Sequence, residues 1–445
     1  MGITAKPGLY GIEHALKLSW LKPAYWKTLH RLAAAHPEVE ADGAALRFTR
    51  YPFEPASVFP TGEVRPDTIA EVNAAHASHI RLKSGEVLFV PRSGKAALLD
   101  FVNRHDVRVE RRTSIWGALL DPFLDTWEEQ KTIDAQFEWL AGLGLERARV
   151  DALRREVAAA MMAYNFGAKL WEWTGFDLYD VLIAQRACLS PAAFADFYAR
   201  AMRVAALDQP MTWKPWGGRK IADELHSVLL DWYPREKGSM KDFDERQKRR
   251  HDGIDKLRHR LAAELTAAYS EPHRRYHTVA HIEHCLDEAA GTLSYAVDLN
   301  EVRWALLFHD AAYDPRRQDN EARSADWACS IMAELGRPAD ERERIRAMIL
   351  ATAHSGEPRA ADEALVLDID LAILGADEAA FDEYDRAVRE EYAWVPEAVY
   401  RRERAKILES FLGRKRLYHT VPYRARFERA ARGNIGRALE RLRIG

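Results

Sequence analysis

The feature that most constrains the fold is an apolar segment that ends in two adjacent polar side chains. Residues 304–310 read WALLFHD, so His309 and Asp310 directly follow five apolar residues. Burying an imidazole and a carboxylate without partners is costly, because both groups are strongly hydrated. A bound cation offsets that cost by taking the imidazole nitrogen and the carboxylate oxygen as ligands. The segment therefore predicts a metal site at the end of a buried helix.

Two other segments supply ligand-type side chains. Residues 366–374, VLDIDLAIL, place Asp368 and Asp370 inside a second apolar run. Histidines lie at spacings of i, i+4, i+8 and i+11 in a third segment: His273, His277, His281 and His284. If that segment is helical, His277 and His281 share a face, although taken alone the segment is more typical of a solvated turn. One histidine, the His-Asp pair and a distant aspartate suffice for one divalent ion that keeps open positions for water.

Composition limits the class of protein. With 47% hydrophobic and 30% charged residues the chain is typical of soluble globular proteins, and its 445 residues suggest two or three domains. A net charge of -3 argues against a globally basic nucleic-acid binder, and acidic neighbours dilute the basic strip 248–250. The three cysteines form no CxxC pair, so a reducing compartment is expected. Glu13 and His14 interrupt any export signal, and no apolar run is long enough to cross a bilayer; we expect a cytoplasmic protein that does not bind a membrane.

The chain divides by pattern into two halves and a join. Residues 1–210 are predicted to form an α+β domain with Trp-rich helices, residues 211–253 a charged linker, and residues 254–445 an all-α domain. The first half is predicted to contain a helix at Ile12–Ala35, a strand at Leu46–Thr49, a hairpin of Ile80–Leu82 with Val87–Val90, a short helix at Lys95–Arg104 and a helix that starts at Ser190-Pro191. In the second half, Glu321–Leu335 has the apolar spacing of a helix, with Asp319 or Asn320 to cap it and Gly336 to end it.

The order His…His-Asp…Asp resembles the HD superfamily of metal-dependent phosphohydrolases. Five segments are similar to a bacterial branch described as predicted HD phosphohydrolases: EPHRRYHTVAHIEHC, ALLFHDAAYD, DNEARSA, LVLDIDLAILGA and RLYHTVPYRARFERAARGNI. The His-Asp dipeptide alone is a weak signal, whereas the ordered set is specific. The resemblance covers residues 254–445 and implies an all-α HD-type helical bundle. It extends to no part of residues 1–210, whose expected role is that of a sensor, a cap or an oligomerisation domain.

The resemblance implies roles for individual residues. The first metal-binding histidine of the superfamily falls on His281, with His277 as the alternative, and the paired ligands fall on residues 309–310. The distal ligand falls on Asp370, which leaves Asp368 as a supporting group or an alternative ligand.

The family pattern is not matched everywhere. Many members place an acid/base carboxylate three residues after the paired aspartate, where this chain has Tyr313 followed by Asp314. Glu321 is the substitute that we consider for proton transfer. His354 is expected either to help hold a second metal or contact phosphate, or to face solvent at a helix end. Arg404 lies where related families place a phosphate-binding arginine, so it completes a catalytic set with Asp310, Glu321 and His354.

These residues imply a metal-dependent phosphohydrolase. It would cleave a phosphoester or phosphoanhydride of a small molecule, by default a nucleotide, with a water activated by a divalent ion (Mn, Mg, Fe, Co, Ni or Zn). We expect one tightly held ion per chain, and a homo-oligomer is compatible with the sequence. Two alternatives stay open. An HD-fold diiron oxygenase would need more than four ligands, and a nucleotide-binding regulatory module would need no turnover.

Overall fold

The structure is a computed structural model that describes residues 23–34, 37–74, 78–110, 112–123, 130–168, 176–210, 220–234, 243–292 and 295–444. The chain divides into two compact units, Met1–Thr212 and Trp213–Gly445. The described residues are mainly helical, and their strands are antiparallel and lie in the first unit. The predicted fold class, mainly α with an N-terminal α+β part, is confirmed. None of the described helices combines the length and the apolar character needed to cross a bilayer.

The strands of the first unit form three small sheets, ordered β1-β2-β3, β4-β5-β6 and β7-β8. Their bounds are β1 Glu38–Ala41, β2 Leu46–Thr49, β3 Gly62–Val64, β4 Ile69–Asn73, β5 His79–Leu82, β6 Val87–Phe89, β7 Arg112–Thr113 and β8 Gln209–Pro210. The predicted strand at residues 46–49 is β2, and the predicted hairpin is β5–β6, with Ile80 opposite Leu88. Side chains at alternate positions of β2 are buried, as a strand with one face on a core requires.

The helices of the first unit are α1 Pro23–Ala34, α2 Lys95–His105, α3 Ile115–Leu120, α4 Gln130–Gly142, α5 Arg147–Ala168, α6 Leu178–Cys188 and α7 Pro191–Ala205. Within the predicted helix at residues 12–35, α1 covers 23–34 and the remainder lies outside the described residues. Helix α7 starts as predicted, with Pro191 in its first turn and the Ser190 hydroxyl accepting from the Ala193 amide. Trp116 is buried beneath α7 and donates its indole N–H to the Ala201 carbonyl at 3.1 Å.

The second unit consists of helices in the part that the structure describes: α8 Ile221–Trp232, α9 Phe243–Tyr269, α10 Val279–Thr292, α11 Leu299–Phe308, α12 Asn320–Glu334, α13 Ala339–Ala351, α14 Ala361–Asp370, α15 Glu378–Glu391, α16 Glu397–Gly413 and α17 Val421–Ile444. A 3-10 turn, Leu371–Gly375, follows α14. Helix α12 matches its predicted bounds within one residue, and Gly336 ends it with a φ of 69°, which a residue with a side chain rarely adopts.

The segment predicted to be a charged linker contains part of the second core. Within residues 211–253, helix α8 buries Leu225, Val228 and Leu229, and Trp232 packs against Trp304 with ring centroids 5.3 Å apart. These apolar residues recur at helical spacing between the charged stretches, so residues 221–232 belong to a packed helix and not to a solvated connector. Residues 211–219 and 235–242 of the predicted linker lie outside the described residues.

Helix α11 is the central element of the second unit. It packs against α8, α10, α12, α13 and α14, and its residues Trp304 to Phe308 are buried on every side. The Asp298 carboxylate caps its start by accepting from the amides of Asn300 and Glu301. Because α11 ends at Phe308, the two residues that follow emerge from the middle of the core. This position explains why the apolar run at residues 304–308 is followed by His309 and Asp310.

Candidate metal centre

Four side chains predicted as metal ligands meet at the ends of three packed helices. His281 is the third residue of α10, His309 and Asp310 directly follow α11, and Asp370 is the last residue of α14. Helices α10 and α14 both pack against α11, so the fold brings together groups that lie far apart in the chain. The C-terminal end of a helix carries partial negative charge, so the ends of α11 and α14 also favour a cation here.

The ligand-type atoms of these side chains lie at spacings that a metal ion requires. The Nε2 atoms of His281 and His309 are 3.2 Å apart. Asp310 Oδ2 lies 3.1 Å from His309 Nε2 and 3.5 Å from His281 Nε2. Asp370 Oδ1 lies 3.4 Å and 3.5 Å from the same two nitrogens. Ligands at ~2.1 Å from an ion are separated by about 3.0 Å in an octahedron and about 3.4 Å in a tetrahedron, so these five separations are close to those expected around one ion.

The protonation of His309 supports this fit. Its Nδ1 lies 2.9 Å from the Leu306 carbonyl, which can only accept, so Nδ1 carries the proton. Nε2 of the neutral ring then presents a lone pair to His281 Nε2. Two lone pairs facing each other need a proton or a cation between them. Histidines that bind metals in proteins are commonly oriented by such a bond from the other ring nitrogen.

The two imidazoles are buried, the two carboxylates are about 16–17% exposed, and the charges of the four groups influence one another strongly. Burial alone lowers the pKa of His309, but Asp310 and Asp370 raise it well above the usual value. Burial raises the pKa of Asp370, whereas His281, His309 and His354 hold it well below the usual value. The carboxylates therefore favour the protonated imidazoles, and the imidazoles favour the ionised carboxylates. A metal ion would displace those protons, as metals generally do at sites of this kind.

Cys285 adjoins the four predicted ligands and was not foreseen. It lies one turn after His281 on α10, is fully buried, and has its Sγ 3.7 Å from His281 Nε2. His281, Cys285, His309 and Asp370 offer ligand atoms that all lie within 4.8 Å of one another and could hold a metal ion. Asp310 Oδ2 lies closer than this sulfur to His281 Nε2, so we regard Asp310 as the better fourth ligand. The i, i+4 spacing of His281 and Cys285 was the signal available in the sequence.

His277, the alternative ligand, has a different partner. Its Nδ1 lies 2.8 Å from Oε2 of Glu391, and the Tyr313 hydroxyl donates to the same oxygen at 2.8 Å. The other Glu391 oxygen accepts from the backbone amides of residues 275–277. Tyr313 occupies the position at which the sequence resemblance would place a carboxylate, and Glu391, from the end of α15, brings a carboxylate to that hydroxyl. We name His277, Tyr313 and Glu391 the relay.

His354 lies against the ligand cluster in an unusual backbone conformation. Its Nε2 is 2.9 Å from Asp370 Oδ2, the carboxylate oxygen that does not face His281. Its φ is 51°, a left-handed conformation that is uncommon for residues other than glycine. The Arg414 guanidinium donates to the His354 carbonyl at 2.6 Å and so holds this backbone. Strained backbone of this kind is found preferentially at functional sites.

Asp368 faces away from the cluster. Its two oxygens accept from the backbone amides of His419 and Thr420 at 2.8 and 2.7 Å, and the Thr420 hydroxyl donates to it as well. Burial raises the pKa of Asp368 to about 7. The residue anchors the segment that leads into α17, which fits the supporting role and not the alternative one as a ligand.

Two predicted catalytic residues are not brought to the cluster. Among the described residues, Glu321 in the first turn of α12 forms no hydrogen bond or ion pair with any of the four ligands. Arg404 is buried against α15, where it donates to the Tyr384 hydroxyl at 3.0 Å and to Asp385 at 3.2 Å. Its guanidinium neutralises the Asp385 carboxylate of α15. The spacing of residues within α16 could not reveal this partner.

Arg274 holds the backbone around the metal ligands. Its side chain is fully buried and donates to the carbonyls of His277, Asp310 and Ala311 at 3.0, 2.8 and 3.1 Å. It also lies over the ring of Tyr269. The role of Arg274 was not predicted, because a charged residue within a histidine-rich segment is typical of a solvated surface.

Comparison of the chain with protein-family models, with curated proteins and with solved structures gives no match in any of the three. What supports metal binding is therefore the buried group of histidine, cysteine and aspartate side chains itself.

Proposed function

We propose that the second unit is a metal-dependent phosphohydrolase that cleaves a phosphoester or phosphoanhydride of a small molecule, with a nucleotide as the default substrate. The observation that carries the proposal is a cluster in which two imidazole nitrogens lie 3.2 Å apart and each of two carboxylate oxygens lies 3.1–3.5 Å from both nitrogens. The resemblance of residues 254–445 to HD phosphohydrolases supports the choice of reaction. When bound, a divalent ion at such a site lowers the pKa of water and neutralises phosphoryl charge.

The relay supplies the proton-transfer group in this proposal. Glu391 fixes the His277 ring through Nδ1, and this leaves Nε2 as the nitrogen that can hold or release a proton. The His277 ring lies beside the ligand cluster, with its centroid 5.8 Å from that of the His281 ring. A carboxylate-oriented histidine beside the ligand cluster is better placed for acid/base chemistry than Glu321.

Arg414 is the arginine that we propose for phosphate binding in place of Arg404. It is partly exposed and is held beside His354 by its bond to the His354 carbonyl. One of its terminal nitrogens is used in that bond, and a guanidinium retains further donors suited to phosphate oxygens. Arg274, by contrast, is fully buried, and its N–H groups already donate to backbone carbonyls, so it is not a candidate for phosphate binding.

The test is phosphate release from a panel of phosphorylated metabolites by the purified full-length chain loaded with Mn²⁺. We expect turnover that is lost in His309→Ala together with the metal. In His277→Gln we expect kcat to fall by ~10²–10⁴ with metal content unchanged, the usual contribution of a general acid or base. His284→Gln is the matched control, because His284 lies on the same helix as His281 but outside the cluster.

Two results would contradict the proposal. Two irons per chain with oxygen uptake on substrate addition would indicate a diiron oxygenase, with His354 as a ligand of the second iron. Tight nucleotide binding without turnover in the metal-loaded chain would indicate a regulatory module. Among the described residues a single group of three or more clustered ligands is found, which supports one ion per chain.

A further inference from the structure

A second site lies beside the metal centre. In the second unit, a cavity of about 660 Å³ opens at the segment that follows Asp310. Its wall includes Tyr313 and Glu391 of the relay but none of the four metal ligands. Its volume falls in the range of cavities that bury small organic ligands.

The cavity carries positive charge that the protein does not neutralise. Arg316, Arg317 and Arg323 line it, and Arg317 is paired with Asp319 at 2.6 Å. Within the described part of the chain, neither Arg316 nor Arg323 forms an ion pair or donates a side-chain hydrogen bond. Two guanidiniums that converge on one cavity suit a phosphate, because each can donate two parallel hydrogen bonds.

The carboxylates of the same cavity are already engaged. Glu271 is paired with Arg274 at 3.1 Å, and Asp314 accepts from the Arg316 amide at 2.9 Å. Glu391 is fully used by the relay and by three backbone amides. The lining therefore offers an anion two arginines without an ion pair, beside one carboxylate, Asp314, that likewise has no ion pair among the described residues.

Aromatic side chains line the cavity beside the arginines. Trp394 is 50% exposed, although tryptophan is normally well buried, and Arg316 lies over its ring at 5.2 Å. Trp327 of α12 also lines the cavity and packs edge-on against Phe308, with ring centroids 5.6 Å apart. An exposed indole in a concave site offers a stacking surface for a planar ring.

We propose that this cavity binds a planar aromatic ring that carries a phosphate, the chemistry of a nucleoside monophosphate, at a site separate from the metal ligands. The phosphate is held by Arg316 and Arg323, and the ring stacks on Trp394. The site does not require the proposed hydrolysis, since no metal ligand lines it. Because Glu391 and Tyr313 belong to both the wall and the relay, an occupant would contact the group that orients His277.

The test is titration of AMP, with adenosine and inorganic phosphate as separate probes, into the metal-free full-length chain by calorimetry. We expect AMP to bind more tightly than either fragment. Arg323→Gln and Trp394→Leu should each weaken AMP binding about tenfold or more, as expected for a charge-assisted phosphate contact and a stacked ring. Arg402→Gln is the matched control, because Arg402 is exposed on α16 and paired with its neighbour Glu403. Both test positions are at the surface, so unchanged thermal midpoints should verify the fold.

His309→Ala separates this proposal from the proposed function. AMP binding that persists in His309→Ala and is weakened in Arg323→Gln and Trp394→Leu supports the cavity, whatever the hydrolysis assay gives. AMP binding that is lost in His309→Ala but unchanged in the two cavity variants would place the nucleotide at the metal centre and overturn the proposal. Absence of AMP binding to the unaltered chain would overturn it as well.

Discussion

Removal of His309 should abolish stabilisation of the chain by a divalent cation. The Nε2 atom of His309 lies within 3.5 Å of its three partners, so no other side chain can take its place without movement. His309→Ala removes this ligand and also the bond from Nδ1 to the Leu306 carbonyl. We therefore compare each protein with and without metal, which cancels the cost of the lost packing.

The size of the effect follows from linkage. An ion present at 100 times its Kd stabilises the folded state by about 2.7 kcal/mol. For a unit of this size, each kcal/mol raises the thermal midpoint by roughly 2–4 °C, so Mn²⁺ should raise the midpoint of the unaltered chain by ~5–10 °C. With one ligand missing, the same concentration should fall below Kd, and the shift should become smaller than about 1 °C.

The assay is thermal unfolding of chelator-treated protein in the presence and absence of Mn²⁺, followed by elemental analysis. His284→Ala is the control; His284 is partly buried on α10 and lies outside the ligand cluster, so its metal-dependent shift should match that of the unaltered chain. A full shift, or full metal occupancy, in His309→Ala would refute the assignment of the metal centre.

Three further predictions test the surroundings of the site. Asp310→Asn should lose bound metal whereas Cys285→Ser should retain it, because the carboxylate oxygen lies nearer than the sulfur to the imidazole nitrogens; elemental analysis giving the opposite result would make the thiolate the fourth ligand. Arg274→Lys should weaken Mn²⁺ binding by ~10–100-fold, since lysine cannot donate to all three carbonyls that the Arg274 guanidinium holds. Equal Mn²⁺ affinity of the two proteins by calorimetry would show that these three hydrogen bonds are dispensable. Burial raises the pKa of Asp362 from 3.8 to about 6, so its proton stabilises the folded state below pH ~4 and that stability is lost as pH rises through 6. Between pH 7 and pH 5 the unaltered chain should therefore gain roughly 1 kcal/mol relative to Asp362→Asn in urea unfolding, and parallel curves would contradict this.

Local signals predicted those elements whose ends are set by their own residues. The Ser190-Pro191 start of α7, the Gly336 end of α12 and the β5–β6 hairpin depend on caps and turns that act within a few residues. Strand β1 was not predicted, although its Val39 is buried, because a four-residue strand is stabilised mainly by its partner β2.

The linker shows how composition can hide a core helix. Charged stretches on both sides of α8 give residues 211–253 a high mean content of charged residues. Within α8 itself, Leu225, Val228, Leu229 and Trp232 form one apolar face at helical spacing. Periodicity within those twelve residues was the better guide, because burial depends on the face that a side chain occupies and not on the mean charge of the segment.

The metal ligands could be predicted and the relay could not, for the same physical reason. His309, Asp310 and Asp370 follow or end apolar runs, whose neighbouring side chains offer no polar partner, so the sequence itself indicates that groups from elsewhere must compensate them. Glu391 is also buried, but three backbone amides, a histidine and a tyrosine satisfy it, all from segments more than 70 residues away. When residues far away in the chain neutralise a buried charge, the sequence around that charge shows no unusual pattern. The predicted metal ligands, in contrast, lie at the ends of apolar segments, and that pattern is visible in the sequence alone.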